Sequence, residues 1–138
     1  MRAPDERNAV SESCVLVVDD DPDLVQLVSG MLEILGYPVM TARNGAEALD
    51  AVERERPSLV ILDSRMPVLD GSGFAQALKD RGMRIPLLVI TGASNAQRWA
   101  QEIGADGYLA KPFDMTDLLA AVQRLVVDGP GEAPSAAR

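Results

Sequence analysis

Three aspartates and a lysine close apolar runs, and side chains of these types at such places could do chemistry together. Asp63 follows Leu59–Leu62, Asp19 and Asp20 follow CVLVV at 14–18, and Lys111 ends DGYLAK at 106–111. An uninterrupted apolar run reads as a strand buried on both faces, the pattern of a central strand in a parallel sheet. An acid at its last position stands at the carboxyl edge, where open α/β sheets bind ligands. Three carboxylates within a few ångströms repel and are costly to ionise together unless a cation joins them. Oxygen ligands without nitrogen or sulfur select magnesium or a similar hard ion. A lysine ammonium opposite supplies a second positive point. Such a set would neutralise an incoming phosphoryl group while one carboxylate, Asp63, attacks it. Phosphoryl transfer asks for little beyond positioning and charge stabilisation. Thr91, which ends IPLLVIT at 85–91, could hydrogen-bond a phosphoryl oxygen.

The rest of the chain must gather these residues. Asp21 can cap a helix with Pro22 at its first position. Leu24, Leu27, Val28, Met31, Leu32 and Leu35 then keep the spacing of an amphipathic helix, which Gly36 ends. PVMTA at 38–42 is a short strand. Asn44 with Glu47 resembles a capping box and opens a helix with Ala48, Leu49 and Val52 inward, stopped before Pro57. After the strand ending at Asp63 comes a loop closed by Asp70-Gly71, then a helix from Gly73 to Asp80 with Phe74, Ala77 and Leu78 inward. Ala96, Ala100 and Ile103 mark a short helix. Asp114 caps a last one, with Leu118, Leu119, Val122, Leu125 and Val126 on one face.

Five strand–helix units imply a parallel sheet with helices on both faces and right-handed crossovers. The class is α/β, a five-stranded flavodoxin-like sheet of order 2-1-3-4-5. That order brings Asp19, Asp20 and Asp63 into one crevice, with Thr91 and Lys111 on the same edge.

At 138 residues the chain is one domain. Residues 1–12 read as a flexible arm, 13–127 as the domain, and the Pro/Gly/Ala-rich stretch 128–138 as a disordered tail. A net charge of −8 argues against direct contact with nucleic acid or an anionic membrane. No run approaches a membrane span and the N-terminus lacks a signal-peptide core, so a cytoplasmic location is expected. The single cysteine, Cys14, sits in an apolar run and reads as core. With no histidine in the chain, histidine acid/base catalysis, histidine metal ligation and phosphohistidine are excluded.

VVDDDP, LVILDSRMPVLDG, VITGA and GYLAKPF, in this order and spacing, resemble the receiver domain of two-component response regulators. The resemblance runs from residue 13 to 127. It implies Asp63 as phosphoacceptor, Asp20 as direct ligand of Mg2+ (or Mn2+), and Asp19 as a ligand chiefly through water. The main-chain carbonyl of Arg65 completes the protein's share of that site. Thr91 and Lys111 contact the phosphoryl group, and Thr91 and Tyr108 form the family's switch pair. Lys111-Pro112 resembles the family's cis peptide. The implied function is a phosphorylation-dependent switch supplied by a histidine kinase or histidine phosphotransfer protein. It acts on an unknown downstream protein through the face of the fourth helix, fifth strand and fifth helix. The same face leaves room for a phosphorylation-linked homodimer. One departure stands out: Thr91 and Lys111 are 20 positions apart, fewer than is usual in the family.

Simpler readings compete at each position. Asp19-Asp20-Asp21 taken alone is a helix cap with solvated neighbours, Lys111 a surface lysine, Thr91 a strand-end partner for an amide, and Tyr108 plain packing. Trp99 either marks a contact surface or fills space left by a short loop. Gly71-Ser72-Gly73 lacks the third glycine of a dinucleotide fingerprint, with Gln76 in its place. Two rival functions share the fold. A phosphatase with an aspartate nucleophile needs a second acid two residues on, where Arg65 stands. A phosphorylation-independent interaction module would ignore Asp63. As a switch, the chain is not an enzyme beyond its own phosphorylation and dephosphorylation.

Overall fold

The computed structural model describes residues 14–63, 68–92 and 96–128. The expected arm and tail lie outside them, except that Asp128 is the last residue of a helix. Five strands, β1 (Val15–Val18), β2 (Val39–Ala42), β3 (Leu59–Asp63), β4 (Leu87–Gly92) and β5 (Gly107–Lys111), alternate with five helices. These are α1 (Pro22–Ile34), α2 (Gly45–Arg54), α3 (Val68–Asp80), α4 (Ala96–Ile103) and α5 (Met115–Asp128). All neighbouring strands pair in parallel, in the order β2-β1-β3-β4-β5. The apolar runs explain the placement. β1 and β3 are buried at every position and stand inside the sheet, while the weaker β2 and the half-exposed β5 form its edges.

Alternation along the strands divides the core in two. Leu16, Val18, Val60, Leu62 and Val89 face α2, α3 and α4, meeting Val52, Phe74, Leu78 and Ile103. Val15, Val17, Leu59, Ile61 and Ile90 face α1 and α5, meeting Val28, Leu32, Leu118 and Val122. Cys14 is buried, and burial followed by the charge of Glu55 pushes its thiol up, away from reactivity.

The caps form largely as the residue types dictate. Asp21 accepts a hydrogen bond from the Asp23 amide at 3.0 Å, with Pro22 opening α1, and Gly36 leaves it at φ +98°. Asn44 accepts from the Glu47 amide at 2.9 Å, but the returning bond goes to the Arg43 amide, one residue before the position that closes a capping box. Asp114 and Asp117 cap α5 reciprocally, at 2.9 and 3.2 Å.

Two expectations are corrected and one open alternative is decided. α3 begins at Val68, not at Gly73, so Asp70-Gly71 is helix instead of loop closure. Gly71 is buried there against Ile103, a tertiary contact that overrides local turn preference. Leu27 is exposed, because Val28 and Leu32 take the arc of α1 that meets the sheet. Trp99 packs against the core on the α2–α4 side, filling space instead of presenting a contact surface.

Leu118 is fully buried between α5 and the sheet. Leu118→Ala should lower unfolding free energy by about 2–5 kcal/mol, read as a lower urea midpoint with an unchanged slope.

Candidate functional site

Register alone brings the singled-out residues to one edge. Val18 pairs with Leu62, so Asp19 and Asp63 follow side by side at the carboxyl ends of β1 and β3. Asp63 pairs with Ile90, so Thr91 stands one position beyond it on β4, and Gly92 pairs with Lys111 on β5. Phase settles which side each takes. Asp63 continues the row Leu59, Ile61 toward α1 and α5, and Lys111 follows Leu109 to that same side. Thr91 continues Leu87 and Val89 toward α3 and α4, and Tyr108, the partner of Val89, shares that side.

Lys111 reaches over β4 to place its Nζ 3.1 Å from Asp63 Oδ2. Asp19 and Asp63 are each 2% exposed and Thr91 is 4% exposed, the three buried polar residues among those described. Asp19 Oδ1 accepts from the Asp21 amide at 3.2 Å, while Oδ2 is buried with no hydrogen-bond partner among the described residues. Burial, then the charge of Asp63, and also the neighbouring Asp20 carboxyl, push the Asp19 carboxyl up to about 6 against the relief of the Asp21 amide. Asp20 is exposed, and among the described residues no three acidic or cysteine side chains converge closely enough to cage an ion. Arg65 lies outside the described residues. The arrangement is thus two buried acids, a third at the rim and a lysine opposite. Beside Asp19 and Asp20 a cavity of about 680 Å3 opens between α1 and the end of β2, lined also by Gln26, Thr41 and Arg43. The Lys111–Pro112 peptide is cis.

A response regulator receiver domain is matched over residues 15–123. The chain belongs to that family. Similar proteins include the transcriptional regulatory protein PrrA of Mycobacterium tuberculosis, 40% identical over 119 residues that cover 85% of this chain and 51% of PrrA. The alkaline phosphatase synthesis transcriptional regulatory protein PhoP of Bacillus subtilis is 37% identical over 123 residues, covering 88% of this chain and 51% of PhoP. The chain therefore spans about half the length of these two regulators. Among solved structures, the chemotaxis response regulator CheY4 of Vibrio cholerae superposes with a TM-score of 0.71 at 35% identity, covering 81% of this chain and 97% of CheY4. The receiver domain of NtrX from Brucella abortus gives a TM-score of 0.72 at 30% identity, covering 83% of this chain and 99% of that one. As a receiver domain, the chain is a module of phosphorylation-dependent two-component signalling. No helix among the described residues is long and apolar enough to cross a membrane.

Receiver domains generally bind Mg2+, and the donors here suit a hard divalent ion. The unpartnered Asp19 oxygen and the repulsion that raises the Asp19 carboxyl are both relieved by a cation. One further side chain escaped sequence reasoning, and another showed only part of its role. Asp106 accepts from the Leu87 amide at 2.8 Å and its own amide donates to Leu87 O at 2.9 Å, fixing β5 against β4 and so the register of Thr91 and Lys111. The only signal for it was an acid directly before a strand. Ile103 read simply as core, and its contact with Gly71 links two helices that start near the site.

The raised Asp19 carboxyl has a consequence for stability. Between about pH 4 and pH 6 the folded protein holds this proton more tightly than the unfolded chain, so its contribution falls as pH rises through that window. In chelator-treated buffer the wild type should lose stability relative to Asp19→Asn over that range, on the order of 2–3 kcal/mol, measured by urea unfolding at each pH.

Proposed function

We propose that Asp63 is the phosphoacceptor of a signalling switch. The supporting observation is the ion pair between buried Asp63 and the partly exposed Lys111, with Nζ at 3.1 Å from Oδ2, set beside the second buried acid Asp19. An Asp63 oxygen attacks the phosphorus of a phosphohistidine on a kinase or phosphotransfer protein. The P–O bond forms as the P–N bond breaks, and the bond's electron pair leaves with the imidazole nitrogen, which is protonated on departure. This chain has no histidine and must meet such a donor on a partner. Lys111 balances charge on the phosphoryl oxygens, and Thr91, buried one register step beyond Asp63, hydrogen-bonds one of them.

Asp20, Asp63 and the main-chain carbonyl of Arg65 would hold Mg2+ directly, and Asp19 chiefly through water. That ion supplies charge neutralisation for the acids and the incoming phosphoryl group. Asp20 at the rim leaves the crevice open to it. The aspartyl phosphate adds roughly −1.5 to −2 of charge and draws Thr91 toward it. Tyr108 shares the side of the sheet with Thr91 and is 45% exposed, so its ring has inward space to take when Thr91 moves. Phosphorylation thereby shifts the population of packings of the α4–β5–α5 face, which a downstream protein reads by contact. The same face can carry a phosphorylation-linked homodimer.

Incubation with acetyl phosphate and Mg2+ should add a single acid-labile phosphoryl group, seen by mass spectrometry of the intact chain. Asp63→Asn should abolish it, a chelator should prevent it, and Lys111→Ala should slow it by about tenfold or more. Undiminished labelling of Asp63→Asn would refute the assignment.

A further inference from the structure

The end of the Ile103 side chain on α4 takes the place where a Cβ at Gly71 on α3 would stand. A Cβ at Gly71 would stand 2.6 Å from Ile103 Cδ1 and 3.2 Å from its Cγ1. Ser72 Oγ, next along α3, donates to the main-chain oxygen of Glu102 at 3.4 Å, a second tie between the same turns. Glycine is poorly suited to a helix interior, so its place here is accounted for by the approach it permits. Both helices lead from the site: α3 follows the strand that ends in Asp63, and α4 follows the strand that carries Thr91. Ile103 ends α4 and is 4% exposed, so it cannot turn aside into solvent.

We propose that the Gly71–Ile103 contact is a latch that holds α4 in the packing seen here, with Tyr108 exposed, and that a phosphoryl group on Asp63 works against it. This rests on Asp63 being the phosphoacceptor. A phosphoryl group that favours another position of α4 must bind less well while the latch holds, and better once it is weakened, because coupling between sites is reciprocal. A methyl at position 71 penalises the latched packing. Truncating Ile103 removes the latch without any clash.

The probe is Mg2+ with beryllofluoride, a stable stand-in for the aspartyl phosphate. Trp99, the single tryptophan, lies on α4 and reports binding by its fluorescence. Gly71→Ala should tighten beryllofluoride binding by about five-fold or more. Adding Ile103→Val, which removes the atom nearest the new methyl, should return the affinity to within about two-fold of wild type. Ile103→Ala alone should also tighten binding, and it keeps the question answerable if Gly71→Ala does not fold. Normal wild-type binding with unchanged or weaker binding by these variants overturns the latch alone. Absence of beryllofluoride binding to the wild type sinks the reading of Asp63 and the latch with it.

Discussion

The site depends on an electrostatic conflict imposed by the sheet. Parallel pairing of β1 with β3 puts Asp19 and Asp63 side by side at the carboxyl edge, both withdrawn from water. Two buried carboxylates at neighbouring strand ends resist joint ionisation: burial first, and then the charge of Asp63, push the Asp19 carboxyl up to about 6. Lys111 answers on one side only, against Asp63. What remains is an excess of negative charge on the β1 side, next to an oxygen that no group among the described residues satisfies. A crevice in this condition favours positive charge and, once that is supplied, an anion that can share it. The proposed affinity for a cation and reactivity toward a phosphoryl group would thus share one source, the burial and repulsion of these acids.

Much of this was legible in the sequence because the governing signals are local and strong. The unbroken apolar runs before Asp19 and Asp63 could belong only to inner strands, and alternation with helices fixed the parallel sheet and its order. Once that order is granted, the meeting of Asp19, Asp63 and Lys111 follows by register. What escaped was long-range. Asp70-Gly71 carries the signature of a turn, yet helix runs through it, and Gly71 seats the side chain of Ile103, more than thirty residues further on. Leu27 obeys the apolar spacing of α1 and still faces solvent, since spacing defines a stripe wider than the sheet can cover. The return bond of Glu47 to Arg43 depends on where the chain enters α2, which residue types do not encode.

Alternation gives the sheet a division of labour. Asp63 and Lys111 project toward the α1 and α5 side, where the charges meet. Thr91 and Tyr108 belong to the α3 and α4 side, where packing can change. A one-residue slip in either strand would exchange these roles and separate the pair. The double clamp of Asp106 on Leu87 therefore guards function as well as stability: it stands where β4 and β5 begin, and every residue toward the site inherits its register.

Passage of a signal from one side to the other needs a group that belongs to both. Thr91, the proposed switch residue, lies beyond Asp63 by one step of register yet faces the opposite layer. Its hydroxyl is small and its burial nearly complete, so a shift toward the charged side leaves a gap that the other layer must fill. The half-exposed ring of Tyr108 lies two positions away along the paired strand, large enough to fill it. A tightly packed layer responds to such a gap by changing partners, not by stretching. Under the proposed latch, the close seat of Gly71 against Ile103 gives α4 distinct positions instead of a continuous range. In the proposed switch, a change of charge at one strand end becomes a choice between packings at the far side of the sheet.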